Sequence, residues 1–229
     1  MKVWIYLNII KKITPIKKIE MANINKNIDI TKPINLILRK IKPSYFYIIL
    51  LLPLLALIIE LMSGGLGVDP MRKIERELGE TGLNLLILTL ALTPITKLTS
   101  FNLIRYKRVF GLMSFFYITL HFLTWLLLDM QLRWDEIIIS LTKKPFIVLG
   151  MVSLVLLIPL AITSNNYSIR KLSNYWKRVH FLVYPAVIIG GLHYLLMAKT
   201  IQFDAVKTLI IILLLLTLKF FKLKKIKWL

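Results

Sequence analysis

The chain has no cysteine. That excludes disulfides, thiolate metal sites, cysteine nucleophiles and covalent c-type haem attachment. Acidic residues are also scarce: Asp and Glu together number 11, against 31 Lys and Arg. Histidine occurs only three times, as His121, His180 and His193. So few histidines and buried carboxylates leave little material for hydrolytic or zinc chemistry. A redox function would need a bound cofactor to carry it. Charged residues of all kinds are only 18% of the 229, too few for an ordinary soluble domain.

What is present is apolar sequence, at 57%. Several windows reach the roughly 20 helical residues needed to cross a bilayer. Continuous apolar runs, rather than short alternating ones, argue for helices and against a β-barrel. The expected fold is an all-α integral membrane protein, a six-helix transmembrane bundle with both termini cytoplasmic. The net charge of +20 could suggest nucleic acid, but its distribution does not. The cations gather at both ends and in alternate loops, which is the positive-inside pattern of an inner-membrane protein meeting anionic lipid.

In chain order, residues 1–43 are basic and interrupted, with Lys11, Lys12, Lys17, Lys18 and further cations to Lys42. The run VWIYLNII is too short to span. No small-residue cleavage site follows it, so a cleaved signal peptide is not expected. This region is read as a cytoplasmic or interfacial extension. The spans are expected at about Ser44–Met62, Gly82–Lys97, Val109–Leu128, Pro145–Ile162, Trp176–Met197 and Ala205–Leu218, making residues 44–222 one transmembrane domain. Residues 223–229 form a basic cytoplasmic tail. Pro53 is expected to kink the first span. Asp69-Pro70 starts a short amphipathic helix before the second. The loop from Asp129 to Lys144 mixes acids with bases and faces outside, as does the loop carrying Glu75, Glu77 and Glu80.

The histidines lie within or beside apolar segments, where an ionisable residue is costly and therefore a functional candidate. The topology puts His121, late in the third span, and His193, late in the fifth, at similar depth near the outer face. They can face each other and hold one iron axially; two imidazoles make a low-spin electron-transfer haem. His180 lies about 20 Å further in along the helix, and roughly 140° around it from His193 on ideal geometry. Pro185 or the Gly190-Gly191 pair could change that phase. Counting back from His121 by the same interval gives Arg108, which stays protonated and suits a phosphate or propionate better than iron. The inner site is thus open between a differently ligated haem, a flavin or quinone pocket, and a headgroup-facing histidine beside Lys177 and Arg178. Haem-free transport or scaffolding of a partner enzyme are the competing functions.

A set of short motifs carries a resemblance: GGLGVDP, Thr81-Gly82, LTP at Leu92 to Pro94, IRYKRVFGL, TLH ending at His121, AITS at Ala161 to Ser164, RKL, YWKRVH ending at His180, and LHYL around His193. From about Gly64 to the C-terminus the chain resembles the haem-binding membrane subunits of the periplasmic protein-methionine-sulfoxide reductase system, within the ferric-reductase-like transmembrane superfamily. The resemblance implies b-type haem, one or two per chain, on His121, His193 and His180. Arg105 and Arg108 become cofactor-binding candidates, and FMN a further candidate cofactor. It implies an electron-transfer subunit rather than the catalytic one. Electrons would come from the quinone pool or a cytosolic flavin reductase and pass to a periplasmic molybdenum-containing reductase subunit. Asp129 to Glu136 and the GGLGVDP loop are then candidate docking surfaces for that partner.

Overall fold

In the computed structural model, residues 31–197 and 202–220 are described, and among them every regular element is helical. The chain divides into two compact units, residues 1–40 and 41–229. Of the first, only α1 (Thr31–Lys40) is described; it is amphipathic, ends on Arg39 and Lys40, and buries no residue. The opening apolar run and the basic tail lie outside the described residues.

The second unit begins with α2 (Ser44–Ile49) and α3 (Leu52–Met62), two pieces of one apolar stretch. The break at Leu50–Leu51 precedes Pro53, which sits in the first turn of α3, where a missing N–H costs least. Tyr117, only 1% exposed, fills the gap. Its hydroxyl donates to the Leu50 carbonyl at 2.7 Å and accepts from the Leu54 N–H at 3.2 Å. One phenol thus stands in for the missing i to i−4 bond. Tyr117→Phe keeps the ring and removes the hydroxyl. We expect a lower thermal midpoint, equivalent to about 1–3 kcal/mol, by circular dichroism of the purified protein. An unchanged melt would show that the break is satisfied some other way.

After the glycine-rich turn comes α4 (Pro70–Thr99). Asp69 caps it, its carboxylate accepting from Arg72 N–H at 3.2 Å. The sequence reading separated a short amphipathic helix from a second span starting at Gly82; the structure makes them one 30-residue helix. Glycine inside a helix costs about 1 kcal/mol relative to alanine, yet Gly79 and Gly82 are both used for close packing. A Cβ on Gly82 would lie 2.7 Å from Ile118 Cγ1 and 3.1 Å from its backbone nitrogen. At this crossing Ser114 donates to the Gly82 carbonyl at 2.8 Å.

That crossing belongs to α5 (Lys107–Leu123), entered through a 3₁₀ turn at Ile104–Tyr106 and continued by a π-helical turn at Thr124–Asp129. Then follow α6 (Trp134–Lys143), α7 (Pro145–Ile162), α8 (Asn166–Leu172), α9 (Asn174–His180), α10 (Val183–Met197) and α11 (Phe203–Phe220). α4 packs along α5, and α10 lies between α7 and α11. The core joins α4, α7, α10 and α11 through Leu83, Leu86, Leu157, Ala186, Val187 and Ile212.

Among the described residues, five apolar stretches are long enough to cross a membrane: Ser44–Met62, Pro70–Thr99, Ile104–Asp129, Pro145–Ile162 and Asn174–Met197. α11 is 18 residues long with Asp204, Lys207 and Lys219 near its ends. The fifth stretch is interrupted at Phe181–Leu182, between α9 and α10. Pro185, in the first turn of α10, has no N–H to offer the Phe181 carbonyl, which accepts from Tyr184 instead at 3.1 Å. His180 and His193 therefore stand on two helices, and a single ideal helix does not set the angle between them.

Candidate functional site

His121 and His193 come together where α4, α5, α7 and α10 meet. Their ring centroids are 6.1 Å apart and the ring planes are inclined at 70°. The rings are held in the same way. His121 Nδ1 lies 2.8 Å from the Glu75 carbonyl oxygen of α4. His193 Nδ1 lies 2.6 Å from the Phe146 carbonyl oxygen of α7. A carbonyl only accepts, so the proton in each bond is on Nδ1. Each Nε2 is then left with a lone pair, the tautomer a metal-ligating histidine needs.

Four residues beyond each carbonyl, on the same helical face, stands a glycine. A Cβ on Gly79 would meet His121 Nδ1 at 3.0 Å and Cε1 at 3.2 Å. A Cβ on Gly150 would meet His193 Nδ1 and Cε1, both at 2.9 Å. The two histidines thus occupy matching seats: a carbonyl that fixes the ring's tautomer and a glycine that lets it lie against the helix backbone. The Phe146 ring adds a tilted contact to His193, with centroids 6.2 Å apart.

A strut joins the seats. Glu80, next to Gly79, accepts from the Tyr194 hydroxyl at 2.9 Å and from Arg76 Nε at 2.7 Å, both on Oε1. Tyr194 is next to His193, so this bond ties the helix that seats one histidine to the helix that carries the other.

The pair's chemistry is restricted. Among the described residues no group of three or more His, Asp or Glu side chains could hold a bare metal ion. Two imidazoles are too few for a structural or catalytic zinc site, but they are what an iron macrocycle requires, since its own nitrogens supply the other ligands. Two rings sharing one iron would each need Nε2 roughly 2 Å from it, and a centroid separation of 6.1 Å leaves room for that.

His180 is not part of this pair. It stacks on Trp176 with centroids 3.8 Å apart, and its Nδ1 lies 3.2 Å from the Trp176 carbonyl of its own helix. Its Nε2 is 3.4 Å from Ser164 Oγ. Arg108 donates to Asn166 Oδ1 at 2.8 Å, tying α5 to the start of α8. Arg105 lies over the Tyr106 ring, 5.4 Å from its centroid.

The sequence reading did not find Gly79, Gly150, the two acceptor carbonyls or the Glu80–Tyr194 strut. It took Glu75 and Glu80 as loop acids. The available signal was the glycines: one inside a helix needs a packing or functional reason.

Residues 78–191 match the family model described as "Ferric reductase like transmembrane component". Over 138 residues the chain is 47% identical to the protein-methionine-sulfoxide reductase heme-binding subunit MsrQ of Brucella anthropi, and equally to those of Brucella ovis and Brucella canis. Each match covers 60% of this chain and 63% of the relative. The chain thus spans under two thirds of the length of these relatives. No solved structure matches. By the family match, the bundle from residue 78 to residue 191 belongs to the ferric reductase like transmembrane components.

Proposed function

We propose that this chain is a membrane electron-transfer subunit that binds b-type haem between His121 and His193. The observation that carries the reading is the matched pair of seats: two Nδ1-tied imidazoles with their centroids 6.1 Å apart. When bound there, haem would supply a one-electron carrier within the membrane. His121 and His193 would hold it, the carbonyls of Glu75 and Phe146 hold the rings, and the Glu80–Tyr194 bond ties α4 to α10.

The remainder of the proposal follows the sequence and the relatives. The relatives' name, heme-binding subunit of a protein-methionine-sulfoxide reductase, supports delivery of electrons to a methionine sulfoxide reductase. We infer that this partner is a periplasmic molybdenum-containing subunit, and that quinol or a cytosolic flavin reductase is the donor. Residues 44–222 would form a six-span domain in the inner membrane, α11 being the sixth span. The 1–43 extension and the tail from 223 would lie on the cytoplasmic side. The positive-inside pattern supports this orientation. His180, with Arg105 and Arg108 at the same end of the bundle, is proposed as a second cofactor site, for haem or FMN.

The test is optical. Purified full-length protein should show a reduced-minus-oxidised b-type spectrum, with haem counted per chain by pyridine haemochrome. A folded protein with no haem after expression in haem-replete cells would overturn the proposal.

A further inference from the structure

Among the described residues, every acidic side chain lies in the half of the bundle that holds His121 and His193 or in its loops: Glu60 late in α3, the stretch from Asp69 to Glu80, the stretch from Asp129 to Glu136, and Asp204 at the start of α11. The opposite end carries cations alone, from Lys97 through Arg108, from Arg170 through Arg178, and at Lys219. Most of these point outward, as topology determinants do. Lys107 does not. At the start of α5 it is half-buried and turns inward, its Nζ donating to Thr93 Oγ1 of α4 at 3.1 Å.

Lys107 lines a cavity of about 30 Å³ together with Thr89 and Thr93 of α4, Tyr184 of α10 and Lys219 of α11. Two lysines from different helices therefore border one small space. A lysine near a membrane end can snorkel to water, so an inward pose beside a second lysine is costly unless an anion is shared. An ammonium has three donors and no acceptor, and Thr93 takes only one of Lys107's. No described carboxylate at this end can supply the rest.

We propose that Lys107, Lys219 and Thr93 form a phosphate-binding site between α4, α5, α10 and α11. The cavity is large enough for one oxygen-sized group, so a phosphate would seat one oxygen in it and keep the others at the mouth. The shared chemistry is a phosphate oxyanion with charge-assisted bonds to two lysines. Its two sources are the phosphodiester of an anionic phospholipid in the adjoining leaflet and a soluble phosphate. The site is separate from the histidine pair and does not depend on the haem proposal.

The full chain would be placed in nanodiscs of phosphatidylcholine with and without phosphatidylglycerol. Retained phosphatidylglycerol is counted by native mass spectrometry; in the arm without phosphatidylglycerol, inorganic phosphate is titrated and the broadening of its own ³¹P line is followed. We expect Lys107→Gln to cut retention about tenfold, the size of a lost charged hydrogen bond, while Lys107→Arg keeps most of it. Lys219→Gln should have a smaller effect, since that side chain is exposed. Lysine-dependent binding of phosphatidylglycerol alone assigns the site to lipid. Lysine-dependent binding of inorganic phosphate assigns it to a soluble ester. Wild-type protein that binds neither, or a Lys107→Gln, Lys219→Gln double variant that binds both as well as wild type, would overturn the proposal. An unchanged circular dichroism spectrum and melt in the variants shows that the fold is intact.

Discussion

His121→Ala and His193→Ala should each abolish the spectrum of the haem proposed between these two histidines, while His180→Ala leaves that haem in place. In the proposed site each ring would hold the iron from one side, and no other described histidine, aspartate or glutamate joins them in a three-ligand group. Loss of either would leave only one protein ligand to hold it. Removing even a residue that merely supports a ligand costs 10–100-fold in metal affinity, so removing the ligand should cost more. The measurement is haem per chain after purification, with circular dichroism to show that helices persist. Full haem in either outer variant would sink the assignment of that residue. Loss of all haem in His180→Ala would mean that the two sites cannot be loaded independently.

The second large effect is expected from residues that touch no metal. Gly150→Ala puts a methyl 2.9 Å from two ring atoms of His193. The ring must move, and the 2.6 Å bond to the Phe146 carbonyl moves with it. Loss of that bond frees the tautomer and the ring's direction, so haem retention should fall about 10–100-fold. Alanine is also the better helix former, by about 0.8–1 kcal/mol. That gain offsets part of the cost of the lost bond, so without haem the Gly150→Ala protein should melt close to wild type. A large loss of haem with little loss of apo stability separates a seat from a generic packing site. Gly79→Ala should behave the same way but more mildly, because its closest contact is 3.0 Å rather than 2.9 Å. A variant that melts lower and keeps its haem would contradict the seat.

Much of the site was legible because membranes make certain residues conspicuous. His121 and His193 stand out because imidazole is rare and costly among aliphatic residues. Their common depth followed from counting residues out from the basic loops at 1.5 Å each. The first and fourth spans could be bounded in advance because hydropathy changes abruptly at Met62, Pro145 and Ile162. The second span could not. From Pro70 to Thr81 the segment is polar and reads as a loop helix, but α4 runs straight through it because α5 packs along the whole contact at Gly79 and Gly82. The angle between His180 and His193 was also beyond reach. It depends on the break at Phe181–Leu182, which is a matter of which carbonyl Tyr184 bonds.

The sequence by itself determined that this is a helical membrane protein, which end of it is basic, and which two histidines share a depth. Those properties follow from composition, charge and the fixed rise of a helix. Only the tertiary structure decided what holds the histidines. Their partners are the backbone carbonyls of Glu75 and Phe146 and the missing side chains of Gly79 and Gly150. Every residue has a carbonyl, so no letter in the sequence marks the one that will accept a histidine's proton. That choice is made when two helices cross closely enough for a ring to lie against bare backbone.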